Sequence, residues 1–489
     1  MAITKVTSDL LNSTALTSKA FGTSSIMIGD DATGTIDAAD NNTGLGVDVF
    51  AALTSGDDNV AIGKSALTAN TTASYNVAVG QGAGDAITTG NYNTAIGRSA
   101  LTTLTTNAAN TAVGGTALSA NTAANNTAVG YGALAANTSG TPHVAVGYEA
   151  LKANTTGASN MAVGYRAMYT NTTGAGNTGL GYQTLYSNTT GAANEAVGVN
   201  ALFSNTTGDN NVAIGTNSLT ANTTADNNTA VGNKALENNT TGASNDAFGT
   251  LALDANTTGY GNAAFGNDSL GANTTGALNT GIGVNSGNSI TTGHSNTILG
   301  QASGSTITTG IGNTCLGLGA AVSGYSGTYQ IVLGYNTLSA GNNTFTFGSS
   351  TGSDRVYNNF DSNASWTRVS DERYKENITP NNDCGLAFIN DLKPVTFTWK
   401  AKADIDNTLP DYNEEESEPE YKEKMYGLIA QEVKEALDKH NITDFGGWNK
   451  EESSGIQAIS QEMFVHPLIK AVQELSAEVQ ELKKQLENK

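Results

Sequence analysis

The sequence predicts a mainly β protein: a trimeric parallel β-solenoid of 17-residue coils, followed by a small α/β domain that ends in a trimeric coiled coil. Three observations lead to this fold class. A block of the form Asn-Thr-Ala-Val-Gly recurs at a fixed step of 17 residues through most of the chain. Glycine is abundant, with 57 residues, whereas aromatic residues make up only 7%. Large apolar residues return in the last quarter, which closes on a heptad pattern.

The glycines that end each block define the period of residues 22–348. They lie 17 residues apart, with one step of 16 between Gly114 and Gly130 and a last step of 14 to Gly348. A fixed short period is typical of one structural unit stacked many times. Seventeen residues are too few for a helical hairpin but fit one solenoid coil. We expect each coil to contain a short strand, a turn, a second short strand and another turn.

The pattern within each coil predicts which side chains are buried. In the first block, Thr and Val should point to one side of the strand and Ala to the other, because side chains alternate along a strand. In the second block, Ala and Leu should supply the buried pair. Asn and Gly suit the turns, since both tolerate a left-handed backbone. One recurring asparagine position predicts a ladder of stacked amides, formed by Asn154, Asn171, Asn188, Asn205, Asn222, Asn239, Asn256 and Asn273.

The predicted core of Ala, Val and Gly would bury little apolar surface in a single thin solenoid. Three chains packed side by side would supply the missing burial. The repeats resemble the head repeats of trimeric autotransporter adhesins, which carry N-x-x-A-[VI]-G blocks. That resemblance implies a left-handed parallel β-roll trimer over residues 22–348. The sequence shows neither the secretion signal nor the C-terminal membrane barrel that we would expect of such an adhesin.

Three motifs follow the repeats, after a linker at residues 349–369. They are S-D-E-R-x-K-E-N-I at 370–378, L-K-P-V-x-F-x-W-K at 392–400 and G-L-I-A-Q-E-V at 427–433. In this order they resemble the auto-processing chaperone domain of endosialidase-type tail spikes and related phage fibres, over residues 370–489. The resemblance implies that this domain trimerises, guides assembly of the β-structured fibre upstream and then cuts itself off.

The same resemblance assigns a catalytic dyad, Ser370 and Lys375, with cleavage at the Val369–Ser370 bond. A serine hydroxyl becomes a nucleophile when a base takes its proton. A lysine can be that base when burial lowers its pKa. Arg373 and Asn377 are candidates for orienting the site or stabilising the oxyanion. The alternative is that Ser370 caps a helix, because Ser-Asp-Glu is a common helix start.

The end of the chain predicts a helix with a coiled-coil seam at about residues 467–487. Pro467 suits the first helical turn. Apolar residues spaced alternately by four and three form the seam: Leu468, Val472, Leu475, Val479, Leu482 and Leu486. The alternative is an amphipathic helix packed on its own domain.

Aromatic residues recur at two positions of consecutive coils and predict two stacked stripes. Such stripes could bind a receptor, by stacking on sugar rings, or could fill gaps between chains. The first stripe comprises Tyr131, Tyr148, Tyr165 and Tyr182, and the second comprises Tyr169, Tyr186 and Phe203.

Together these features predict a homotrimeric virion tail fibre that is synthesised in the host cytoplasm. By position alone, we expect residues 1–21 to attach to baseplate or tail proteins. The shaft should bind a host cell-surface glycan or protein receptor. Three alternatives stay open: a tail spike that depolymerises polysaccharide, a non-viral trimeric adhesin, and a Thr-rich ice-binding solenoid.

Charge and composition argue against several other classes. A formal net charge of -21 offers no basic footprint for nucleic acid. No run of 18 apolar residues predicts a membrane span. The four histidines are scattered, and Cys315 and Cys384 lie far apart, so we expect no metal site and no cofactor.

Overall fold

The structure is a computed structural model that divides into two compact units, Met1–Tyr374 and Lys375–Lys489. It describes residues 17–19, 25–29, 38–349, 355–359, 367–368, 372, 376–407, 409, 412–419, 422–450 and 455–488.

The first unit is a parallel β-solenoid in which each coil contributes one short strand to a single long sheet. Successive strands pair in parallel, and the register advances by one coil, as in the pairing of Thr178 with Glu195. The single 16-residue step is accommodated outside the strands, since Thr111 still pairs with Thr127. The parallel strands are β2 (Ile26–Gly29), β3 (Thr43–Leu45), β4 (Val60–Ile62), β5 (Val77–Val79), β6 (Thr94–Ile96), β7 (Thr111–Val113), β8 (Asn126–Val129), β9 (His143–Val146), β10 (Met161–Val163), β11 (Thr178–Leu180), β12 (Glu195–Val197), β13 (Val212–Ile214), β14 (Thr229–Val231), β15 (Asp246–Phe248), β16 (Ala263–Phe265), β17 (Thr280–Ile282), β18 (Thr297–Leu299), β19 (Thr314–Leu316), β20 (Ile331–Gly334) and β21 (Thr344–Gly348).

Antiparallel strands flank the solenoid at both ends. At the start, β1 (Thr17–Lys19) pairs with β2 and is the only described part of the predicted N-terminal segment. After β21, the strand β22 (Arg355–Asn359) folds back onto it, and β23 (Thr367–Arg368) pairs with β22. The predicted linker therefore contains strands in its described residues.

The buried side chains confirm the predicted alternation. The middle residue of most strands is an alanine with no exposed surface, such as Ala196 and Ala213. The Ala-Leu pair of the second block is also fully buried, as at Ala201 and Leu202. Most coils therefore enclose a narrow core of small side chains closed by one leucine.

The second block is not a strand, and this part of the prediction was wrong. In the described coils before residue 320, it forms turns in which alternate residues take a left-handed backbone. Asn200 has φ of 56° and Leu202 has φ of 52°. The amides of these two residues point to different coils. Asn200 N–H donates to the carbonyl of Tyr182 in the preceding coil, and Leu202 N–H donates to that of Ser218 in the following coil. The hydrogen bonds between coils persist, but without strand geometry.

Asparagine amides form two ladders inside the solenoid. The predicted ladder is confirmed, with Asn188 donating to Asn171 at 2.7 Å and Asn205 to Asn188 at 2.8 Å. A second ladder uses the asparagine that precedes each strand, as where Asn211 donates to Asn194 at 3.1 Å. These buried side chains pair with one another and with backbone groups, which satisfies nearly all of their polar atoms; the Oδ1 atoms of Asn126 and Asn273 are the described exceptions.

The second unit is a small α/β structure. Its elements are α1 (Leu386–Asp391), β24 (Val395–Phe397), a 3-10 helix (Lys402–Asp404), β25 (Met425–Gly427), α2 (Ala430–Lys439), β26 (Trp448–Lys450), β27 (Gln457–Ile459), a second 3-10 helix (Gln461–Phe464) and α3 (Val465–Glu487). Its core centres on Phe388, Val433, Leu437 and Phe464. Across the described ranges, no helix is both long and apolar enough to cross a membrane.

Candidate functional site

The predicted dyad and scissile bond lie outside the described residues: this applies to Val369, Ser370, Arg373 and Lys375. Asn377 is described, and it is an exposed residue with a left-handed backbone of φ 54°. The roles of all five residues stay predictions.

The other two motifs of the second unit come together in one small sheet. Strand β24 belongs to the L-K-P-V-x-F-x-W-K motif, and β25 leads into the G-L-I-A-Q-E-V motif. They pair antiparallel, with Val395 opposite Gly427 and Phe397 opposite Met425. Residues of both motifs, including Leu392 and Leu428, also line an apolar cavity of about 360 Å³. The motifs are therefore parts of one packed structure rather than separate sites.

Helix α3 is tied to this unit near its start and presents an apolar seam to solvent along its length. Glu474 accepts a hydrogen bond from the backbone N–H of Leu386 at 2.6 Å, which ties α3 to the start of α1. This bond, set against the cost of burial, holds the pKa of Glu474 below its ordinary value, and Lys470 adds to the effect. All six predicted seam residues are exposed by 42–73%. The predicted helix is confirmed, whereas its coiled coil stays a prediction.

Comparison with known families found a match that covers the stretch containing all three motifs. Residues 370–442 match the family model of the chaperone of endosialidase. The match begins five residues before the second unit and ends before helix α3. A search of curated proteins found no match for the chain.

Upstream of the chaperone domain, the two predicted aromatic stripes are stacked. Ring centroids in the first stripe are 5.3–5.7 Å apart, from Tyr131 to Tyr182. Those in the second stripe are 5.1–5.3 Å apart, from Tyr169 to Phe203. Ring faces inside a stripe are covered by neighbouring rings, so the stripes offer mainly ring edges to a ligand. Receptor binding by these residues stays a prediction.

A charged cluster joins the two stripes. The Arg166 guanidinium lies 5.3 Å from the ring centroid of Tyr165 and 5.2 Å from that of Tyr169. Its Nε donates to the nearly buried Glu149 at 2.8 Å, and Lys152 donates to the same carboxylate at 2.6 Å. Burial opposes the charge on Glu149, but the two hydrogen bonds hold its pKa below the ordinary value. The cluster fixes the stripes against each other.

A group of carboxylates on the shaft was not predicted from the sequence. Burial raises the pKa of Asp254, and the negative charges of Asp268 and Glu237 raise it further. Glu237 and Asp254 are one coil apart, so the repeat spacing carried the signal for part of this group. Among the described residues, no three His, Cys, Asp or Glu side chains are placed to hold a metal ion.

Proposed function

We propose that this protein is a homotrimeric virion fibre for host attachment, whose C-terminal chaperone domain drives assembly and then cleaves the Val369–Ser370 bond. The observation that carries this proposal is the chaperone-of-endosialidase match placed directly after a long β-solenoid. A solenoid with many identical registers is prone to mispairing of chains, because a slip by one coil preserves every contact. A domain that aligns three chains at one end would remove that ambiguity.

Cleavage would proceed within one chain. Lys375 in its neutral form takes the proton of the Ser370 hydroxyl, and the oxygen attacks the carbonyl carbon of Val369. The peptide C–N bond breaks, the amine of Ser370 is released with a proton, and an ester links Val369 to the serine oxygen. Water then hydrolyses the ester. Because nucleophile and carbonyl are neighbours in the chain, the effective concentration is very high.

Self-association of the shaft is supported by an apolar column on its outer face. The third residue of each three-residue strand faces outward, and the parallel register aligns these residues in one column. The column contains only Val, Ile, Leu or Phe from β2 to β21. None of these side chains is buried within the single chain. The first strand position faces outward too, yet it accepts Thr, Glu195 and Asp246. Strand propensity acts on both positions, so the restriction of one of them to apolar residues favours contact with other chains.

Denaturing electrophoresis of the full chain, expressed and folded, tests the cleavage. The wild type should release a fragment of about 120 residues that begins at Ser370. Ser370→Ala should stay full length, because it lacks a nucleophile. Lys375→Arg should also stay full length, since arginine keeps the charge but cannot act as a base. Ser370→Cys should retain part of the cleavage, because a thiol can replace the hydroxyl.

Mass spectrometry of the products would locate the cut. A folded wild-type protein that stays full length contradicts the protease proposal. A cut at another bond, or cleavage that survives Ser370→Ala, contradicts the assignment of the dyad.

A further inference from the structure

A groove of about 370 Å³ lies on the outer surface of the solenoid. Its lining residues belong to the segments that precede β16, β17 and β18. This volume is in the range of small-molecule sites. Tyr260, Ala277 and His294 occupy the same position in three successive coils and form its length. Its remaining lining residues are Thr275, Leu278, Thr292 and Ser295.

The groove exists because a small residue stands between two large ones. Coils are spaced by about 4.8 Å, so Tyr260 and His294 are separated by about 10 Å along the axis. Ala277 forms the floor between them. Backbone hydrogen bonds hold the walls: Leu278 N–H donates to Tyr260 and Ser295 N–H donates to Ala277, each at 3.0 Å. The shape is therefore built on rigid coils rather than on a flexible loop.

The ring of Tyr260 offers an open face to this groove. Its side chain is 56% exposed, and no other aromatic ring stacks on it in the part of the chain that the structure describes. Tyr165, in contrast, lies between Tyr148 and Tyr182 at 5.4 and 5.3 Å. Stacking on the C–H face of a sugar requires an open ring face. Tyr260 meets this requirement, whereas the interior rings of the stripes do not.

Two threonine hydroxyls line the groove without partners of their own, whereas the Ser295 hydroxyl lies 3.3 Å from Nδ1 of His294. The Thr274 and Thr291 hydroxyls donate to backbone carbonyls of the next coil, at 3.1 and 3.2 Å. The adjacent Thr275 and Thr292 are exposed, and within the described ranges their hydroxyls have no hydrogen-bond partner. They are free to bond to the hydroxyls of a ligand.

Leu278 adds an exposed apolar side chain to the groove. It is 54% exposed and has a left-handed backbone with φ of 59°, a conformation that is unfavourable for leucine. At the same position in other coils, positive φ is shared by glycine or small polar residues such as Asn210 and by the exposed Tyr75, Tyr92 and Tyr329. Leucines at the position of Leu202, which also have positive φ, are fully buried. Leu278 gains no such burial within this chain, so its apolar surface is available to an external group.

We propose that this groove binds a neutral saccharide, an inference that rests on the proposed attachment function. The open Tyr260 ring and Leu278 match the apolar face of a pyranose, and the threonine hydroxyls match its polar edge. The lining contains no carboxylate, lysine or arginine. With a net charge of -21, the protein would repel acidic glycans. Without a pair of carboxylates in the lining, the groove would bind the sugar and leave it intact.

An array of immobilised oligosaccharides tests the proposal with the full chain. The neutral members would contain glucose, galactose, mannose, rhamnose or N-acetylglucosamine, and the acidic members sialic or glucuronic acid. We expect the wild type to bind neutral members. Tyr260→Ala should weaken that binding about tenfold, and Thr292→Val about fivefold. Tyr92→Ala, in a stacked exposed pair at another coil, is the matched control and should bind as the wild type does.

The outcomes separate the groove from the attachment function. Binding that survives Tyr260→Ala but is lost in Tyr165→Ala would assign attachment to the first aromatic stripe and overturn the groove. Binding to acidic members alone would overturn it as well. A wild type that binds no member of the array would overturn both the groove and glycan attachment. Light scattering completes the test, since subunit dissociation in Tyr260→Ala would assign the groove to packing between chains.

Discussion

Single asparagine residues make the narrow solenoid core possible. In the second ladder, Asn194 donates to Asn177 at 3.2 Å and to the carbonyl of Gly208 at 2.8 Å. Its own oxygen accepts from the backbone N–H of Asn211 at 3.0 Å. One side chain thus satisfies polar groups of three coils. Each such group would cost about 1–3 kcal/mol if it were buried without a partner.

His143 replaces an asparagine in this ladder and should make the shaft sensitive to pH. Its side chain is 2% exposed, and its Nδ1 accepts from the N–H of Asn160 at 3.2 Å. Burial lowers the pKa of His143, although hydrogen bonds between its side chain and the backbone of Asn160 and Gly157 oppose the shift. As the pH falls below about 6.5, the unfolded chain gains a proton that the folded chain resists. Stability should therefore decrease with falling pH.

Thermal unfolding of the full chain at pH 7.5 and pH 5.5 measures this effect. The wild type should lose more stability over that interval than His143→Asn, which restores the asparagine of the ladder. Equal losses in the two proteins would show that His143 does not control the response.

At the scale of one coil, the repeat pattern predicted the alternation of side chains in the strand and the buried Ala-Leu pair, but not the whole backbone path. The strand block was predicted well, because alternation of side chains has one simple structural solution. The Ala-Leu block was predicted as a second strand, yet its alternate left-handed residues curve the chain instead. Buried Leu202 has φ of 52°, which propensity alone disfavours. Inter-coil hydrogen bonds and burial of the leucine outweigh that local cost.

Gly176 and Gly181 lie near each other in the sequence but should respond differently to replacement by alanine. Gly181 has φ of 142°, and an added Cβ would lie 2.5 Å from the carbonyl oxygen of Gly198. Gly176 has φ of 69°, with no atom nearer than 3.9 Å to the added Cβ. Ala193 occupies the same position in the next coil with φ of 55°.

We therefore expect Gly181→Ala to destabilise the shaft by about 3 kcal/mol or more. Gly176→Ala should cost about 1 kcal/mol. Circular dichroism during thermal unfolding measures both. Similar decreases in the midpoint would contradict the assignment of the repeat glycine to close contact between coils.

At the scale of the whole molecule, the sequence predicted the two-part architecture because each part has a strong local signal. The 17-residue period predicted the solenoid, and the heptad spacing predicted α3 within two residues at its start. The second asparagine ladder had the same periodic signal and was missed. Leu278 and Ala277 could not have been singled out, because a groove depends on which side chains neighbouring coils bring together. Ser370 and Lys375 lie outside the described residues, so the dyad rests on the motif.

Assembly of the fibre can be tested on one strand, because β6 carries two outward residues with different surroundings in the proposed trimer. Ile96 belongs to the apolar column and is 38% exposed in the single chain, while Thr94 lies two residues earlier on the same face. In an isolated chain, glutamate at either position would face water and should change stability by about 0.5 kcal/mol or less. In a trimer that packs through the column, Ile96→Glu would bury an unpaired charge in each subunit. We expect this variant to lose about 3 kcal/mol or more per subunit and to dissociate at a lower temperature, as followed by light scattering. Thr94→Glu should assemble as the wild type does, and equal behaviour of the two variants would exclude the column as the contact between chains.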